Sequence, residues 1–283
     1  MRTLFVKDIV DMFKNPNVLL MLALPLIFIV IYQFVDLGMS PAYLLMLGVM
    51  MNLCLTPLSV LGMMIAEEKE KNTMRTLMLC NVTGGEFLAA KTLAVLAGTL
   101  LVDTVLFFLT GFGPAQLLVF LLVCTAGSIT MLLLGGLTGI VCRDQTSTGT
   151  IAGPLALVFM LPTMFAGMGG VLQKVASFVP TTATADLMFL GLGHQSWMGA
   201  NVLWDVAVLA VWTAGSAGLF ALAFRKRAWT TERNFYRSIN SIRPPETRRA
   251  EAVSVQRRKY TSSSLGGWAG VTLAASSQGP TPS

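Results

Sequence analysis

The chain has 283 residues, 54% of them hydrophobic and only 12% charged, with a formal net charge of +6. A water-soluble domain carries about 25% charged residues, so this composition, with several long apolar runs, excludes an ordinary soluble domain. It points to one all-α polytopic membrane domain, embedded in a lipid bilayer.

Residues 2–15 have helical spacing of Phe5, Val6, Ile9, Val10, Met12 and Phe13, with Lys7, Asp8, Asp11 and Lys14 on the other face. Pro16 ends that pattern, because the residue before a proline is pushed out of the α region. The stretch 1–16 therefore reads as an amphipathic interfacial helix, or else as a prolongation of the first span. The charges ahead of a long apolar run without a cleavage site argue against a removable signal peptide.

Six spans follow, at about 17–35, 42–66, 87–110, 115–141, 151–170 and 200–224, within a membrane domain of 17–227. Pro57 lies inside the second and permits a bend. The polar stretch CRDQTSTGT (142–150) reads as a loop between spans four and five. Residues 172–199 are apolar pieces broken by glycines, Pro180, Asp186 and His194. Asp205 is expected near the outer interface.

Orientation follows from lysine and arginine. With the N-terminus inside, the inner segments hold Arg2, Lys7, Lys14, Lys69, Lys71, Arg75, Lys91, Arg143 and every basic residue from Arg225 onward. The outer segments hold only Lys174, which predicts six spans with both termini cytosolic. Residues 228–283, rich in Arg, Ser, Thr and Pro, read as a disordered basic tail. Most of the net charge lies there, so it identifies no path and no nucleic-acid partner is expected.

Few residues suggest chemistry. GEFLAAKT (85–92) approaches a phosphate-binding loop, but Ala90 stands where the second glycine must let backbone wrap the phosphates. Lys91 reads instead as a basic anchor at the cytosolic start of the third span. Asp103 lies within that span, where a carboxylate is costly unless hydrated or paired. With Asn52 it marks either a translocation path or a hydrogen bond between helices, for instance to Thr130. Cys54, Cys80, Cys124 and Cys142 have no CxxC spacing and read as small buried hydrophobes. With a single histidine, no metal site is expected, and no nucleophile–base set for catalysis is present.

The most informative stretch is 67–91, the longest charged interruption between apolar runs. Glu67, Glu68, Lys69, Glu70, Lys71, Asn72, Thr73 and Arg75 precede an apolar set of Met74, Leu77 and Met78. Glu67 and Lys71 stand at i,i+4. A short amphipathic helix here would offer charges and apolar knobs to a soluble partner.

At these residues the chain resembles the membrane subunits of type-2 ABC exporters. The family's segment runs E-[KR]-E-[KR]-G-T, a leucine, a Ser-Pro-like break, an acidic residue and a lysine opening the third span. Glu68, Lys69, Glu70, Lys71, Asn72, Thr73, Leu77, Glu86 and Lys91 fall in that register, with Asn72 in place of the usual glycine and Asn81 in place of the common proline. The resemblance extends over about 1–228 and includes the Arg143–Gln145 inner loop and Val179-Pro180-Thr181.

The resemblance implies a permease of the cytoplasmic membrane without its own ATPase and without a cofactor. ATP and magnesium would be bound by a separate ABC-type ATP-binding subunit, and a second permease copy or paralogue would complete the assembly. Residues 1–16 would be an elbow helix and 67–91 the coupling segment, touching the ATPase through Glu67, Glu68, Lys69, Glu70, Lys71, Asn72, Thr73, Arg75 and Leu77. Residues 172–199 would form short re-entrant helices at the exit. Two other classes stay open: a stand-alone ion-coupled carrier using Asp103, and a membrane anchor or assembly factor that transports nothing.

Overall fold

The computed structural model describes residues 2–35, 38–71, 84–166, 170–193 and 202–242, with side chains described between residues 5 and 223 of those ranges. The described residues are helical, with no strand among them. In chain order the helices are α1 (Arg2–Lys14), α2 (Pro16–Val35), α3 (Pro41–Leu55), α4 (Leu61–Glu70), α5 (Gly84–Leu109), α6 (Leu117–Val141), α7 (Gln145–Phe165), α8 (Gly170–Ala176), α9 (Pro180–Gly191) and α10 (Val202–Ile242). A π-helical turn, Thr56–Val60, joins α3 to α4, and a 3₁₀ turn, Pro114–Gln116, precedes α6.

Six helices are long and apolar enough to cross a membrane: Pro16–Val35, Pro41–Glu70, Gly84–Leu109, Pro114–Val141, Gln145–Phe165 and Val202–Ala223. The second is the hub. It is 83% buried, against 17–44% for the other five. Leu45, Met46, Val49 and Leu53 of α3 are fully enclosed, whereas Leu118, Leu203 and Val211 on outer helices are largely exposed. Exposed apolar faces are what lipid requires of the spans that ring such a hub.

The bend expected at Pro57 is the π-helical turn. Proline has no N–H to give to the preceding turn, so the helix widens locally instead of breaking. Its carbonyls turn toward α6. A Cβ at Gly135 would lie 2.5 Å from both Pro57 O and Leu58 O, and one at Gly139 would lie 2.7 Å from Gly62 O. Two backbones can approach this closely only where side chains are absent.

Several boundaries differ from the sequence expectation. α7 starts at Gln145, so most of the polar 142–150 stretch is helix. Asp144 caps it: its Oδ1 accepts from Ser147 N at 2.7 Å, and Ser147 Oγ lies 3.4 Å from Asp144 N. This reciprocal pair satisfies helix-end donors that would otherwise need solvent. α10 continues to Ile242, beyond the boundary drawn at 227, so the helix includes 228–242. Residues 243–283 lie outside the described residues.

α1 is a helix distinct from α2, separated by the non-helical Asn15. Its polarity is three-sided rather than two-sided. Met12 and Asp8 are buried, Val6, Val10 and Phe13 are exposed, and Lys7, Asp11 and Lys14 form a polar edge. The inward turn of Asp8 is the feature that periodicity alone assigned to the wrong face.

Candidate coupling region at the end of the second span

The first charged residues of the 67–91 stretch do not form a free loop. Glu67–Glu70 are the last turn of α4, the continuation of the second span. The pairing Glu67–Lys71 at i,i+4 is present at 2.5 Å, and Lys71 ends the helix. Asn72, Thr73, Arg75 and Leu77, with Cys80 and Asn81, lie outside the described residues.

Each of these charged side chains reaches a different neighbour. Glu67 Oε2 accepts from Asn15 Nδ2 at 3.1 Å, at the α1–α2 junction. Lys69 Nζ donates to the carbonyls of Gly139, Ile140 and Cys142, the last two at 2.6 and 3.0 Å. These are end-of-helix acceptors of α6, where a cation also meets the negative end of the helix dipole. Glu70 Oε2 accepts from the backbone N–H of Gln145 at 3.3 Å, at the positive end of α7. One turn of α4 thus ties together the N-terminal helix and the connection between spans four and five.

Glu68 turns inward. Its Oε1 lies 3.3 Å from Lys91 Nζ and 3.0 Å from Lys7 Nζ. Lys91 is only 2% exposed and is also bonded to Asp8 Oδ1 at 3.0 Å. Its ammonium lies 5.1 Å from the centroid of the Phe87 ring. Lys91 is therefore not an anchor in the headgroup region but the centre of a buried four-charge cluster joining α1, α4 and α5. Burial pushes the Asp8 carboxyl above the usual carboxylate range, although the Lys91 charge pulls the other way. For Lys7, partial burial works to lower the pKa, but the hydrogen bond and charge of Glu68 prevail and it is raised. Asp8, Asp11 and Glu68 bring carboxylate oxygens within 4.8 Å of one another, but Lys7 and Lys91 already supply the countercharge there.

A second polar cluster lies deeper, between α3 and α5. Asn52 Nδ2 donates to Asp103 Oδ1 at 2.8 Å and to Thr99 O at 3.1 Å. Thr56 Oγ1 donates to Asn52 Oδ1 at 2.7 Å. Asn52 and Asp103 are both fully buried. The partner of Asp103 is Asn52, not Thr130, whose hydroxyl lies 2.7 Å from that of Thr213 on α10.

On the opposite side of the spans, the segment before span six folds as α8 and α9. Thr163 of α7 bonds to Thr181 and Thr182 of α9 at 2.8 and 2.9 Å. Trp204 and Trp212 of α10 donate to Ser177 O and Phe178 O, ahead of α9. Asp205 is 2% exposed, buried against its neighbours. Cys54, Cys124 and Cys142 are buried free thiols; His194 lies outside the described residues.

The model of the ABC-2 family transporter protein matches residues 34–226, more than half of the chain. The chain belongs to the ABC-2 transporter family. It is thus a multi-pass membrane permease component of an ABC transporter. No curated protein and no solved structure matches this permease. The matched region contains Glu67–Lys71, Lys91, Asn52 and Asp103, and leaves out α1.

Sequence reasoning brought Glu67–Lys71 and Lys91 to attention in this permease but not Asp8, the partner from α1. A buried acid in an amphipathic helix leaves one trace: Asp8 sits at i+3 from the half-buried Phe5 and i−4 from the buried Met12. Asp144 had a clearer signal, a capping residue three positions before Ser147 at the start of a helical run.

Proposed function

We propose that the chain is the permease half of an ATP-driven exporter of the cytoplasmic membrane, with both termini cytosolic. A separate ABC-type ATP-binding subunit supplies the energy, holding ATP and magnesium, and a second permease copy or paralogue completes the translocation unit. The segment 67–91 is its docking site, engaged through Glu67, Lys69, Glu70 and Lys71 at the end of α4 and through Asn72, Thr73, Arg75 and Leu77 beyond it. α1 is the interfacial elbow, and the α8–α9 segment is a re-entrant cap at the exit.

The observation that carries this reading is the wiring of the last turn of α4. Lys69 and Glu70 bind the facing ends of α6 and α7 while Glu67 binds the α1–α2 junction. A load applied just beyond Lys71 reaches all of them at once. The lysine and arginine asymmetry assigns this end to the cytosol. Asn52 and Asp103 belong in this reading to the joint between spans two and three, and a path along them requires that joint to open.

The test is co-purification. Glu70→Lys or Arg75→Glu is expected to remove an ABC-type ATPase from the tagged permease while membrane insertion persists. An ATPase that stays bound to both variants counts against the docking site. Transport in vesicles with neither ATP nor a second protein, abolished by Asp103→Asn, would favour a stand-alone carrier.

A further inference from the structure

The cluster around Lys91 is an expensive way to hold three helices together. Well-packed apolar residues of similar volume usually do as well as a buried ion pair or better. What paired charges provide instead is direction. Apolar faces slide over one another at little cost, because burial is non-directional, whereas a charge drawn off its partner in a poorly hydrated setting is penalised at once.

The geometry assigns a transmission role to Asp8, Glu68, Lys7 and Lys91: together they carry displacement of the segment beyond Lys71 into α1. This rests on the reading that segment 67–91 docks an ATPase. Glu68 lies in the last turn of α4, so it moves with the first residues to be loaded. Its Oε1 is shared between Lys7 of α1 and Lys91 of α5, and Lys91 in turn holds Asp8 of α1. α1 is thereby fastened at two successive residues, one exposed and one buried. The cluster borders a cleft of about 560 Å³, lined by its own Lys7, Glu68 and Lys91 and by Asp11, Lys14 and Glu67 among others. The polar edge of α1 faces this open space.

The experiment measures a distance in the purified permease–ATPase complex. Spin labels go on Val10→Cys, on the exposed face of α1, and on Leu118→Cys, at the exposed start of α6, with Cys80→Ser removing a native thiol. The distance is read without nucleotide and with ATP plus vanadate. The wild-type cluster is expected to give a nucleotide-dependent shift. The triple variant Asp8→Asn, Glu68→Gln, Lys91→Met removes the three buried charges together and leaves the exposed Lys7 with Asp11 at 3.5 Å. It is expected to keep the ATPase and lose the shift. A shift that survives in the triple variant, or none in the wild type, overturns the transmission role. Loss of the ATPase from the triple variant alone makes the cluster part of the docking surface and overturns it as well. If no ATPase accompanies even the unaltered permease, it is the docking reading that fails.

Discussion

Replacing Lys91 with methionine tests the energetic account of the buried cluster. Removing one partner of a buried ion pair costs about 3–5 kcal/mol, because the other charge is stranded. Here two acids lose the ammonium, and they fare differently. Glu68 keeps Lys7 at 3.0 Å, whereas Asp8, 2% exposed, loses the cation 3.0 Å from its Oδ1. One stranded carboxylate rather than two sets the cost of Lys91→Met at about 3 kcal/mol, the lower end of that range. The pH dependence has a definite sign. Burial already holds the Asp8 pKa above its ordinary 3.8, and losing Lys91 raises it further. A carboxyl whose folded pKa is raised destabilises the fold as pH rises through the window above 3.8, and is harmless below it. The deficit of Lys91→Met should therefore be largest near neutrality and shrink on acidification. Thermal unfolding of the purified protein in detergent, followed between pH 4 and 8, checks both points. A deficit under about 1 kcal/mol, or one that does not change with pH, contradicts the reasoning. Adding Asp8→Asn and Glu68→Gln should recover most of the loss; a triple variant no better than the single one would be equally damaging.

Three further outcomes follow from the geometry. Gly135→Ala should destabilise by about 1–3 kcal/mol, because its Cβ would meet Pro57 O and Leu58 O at 2.5 Å; Gly153→Ala, with nothing within 4 Å, should leave the melting temperature unchanged. Asn52→Ala should cost about 1–3 kcal/mol in the same thermal assay, by leaving the buried Asp103 carboxylate without its donor and the Thr56 hydroxyl without its acceptor. Asp144→Ala should lower the melting temperature and Asp144→Asn should not, since both natural caps accept from the Ser147 N–H. Ser147 holds the Asp144 pKa below 3.8. The wild-type advantage over Asp144→Ala should therefore be present above that value and fade as pH falls through the lowered one.

The spans were legible because a bilayer imposes one simple rule: about 20 apolar residues in succession. That rule needs no knowledge of neighbours, and all six spans were found with it. The ends of the helices obey other rules. α4 continues through Glu67–Glu70 because Glu67 and Lys71 stabilise its last turn and because α6 and α7 offer their ends to Lys69 and Glu70. Those partners lie 70 and more residues away in sequence, and no local pattern announces them. The start of α7 was a different kind of miss. Asp144 and Ser147 spell its cap locally, but the polar composition of 142–150 suggested a loop.

Lys91 illustrates why a span can be found while the place of a charge beside it is missed. Counting it among the inner positive charges uses only the lysine and arginine bias of short connecting segments. Its later fate is decided by packing. α1 lies along α5, with Met12 so close to Gly98 that an added Cβ would meet its methyl group at 2.9 Å. That approach covers the first turns of α5 and leaves Lys91 only 2% exposed. A charge in such a place needs partners, and α1 and α4 each deliver an acid. In the proposed orientation, the charge that marks the inner end of the third span is thus the same charge that fastens the N-terminal helix over it. Any single substitution strands part of the cluster, which is why the triple variant, which removes both acids with the lysine and leaves Lys7 beside Asp11 at 3.5 Å, separates folding from transmission.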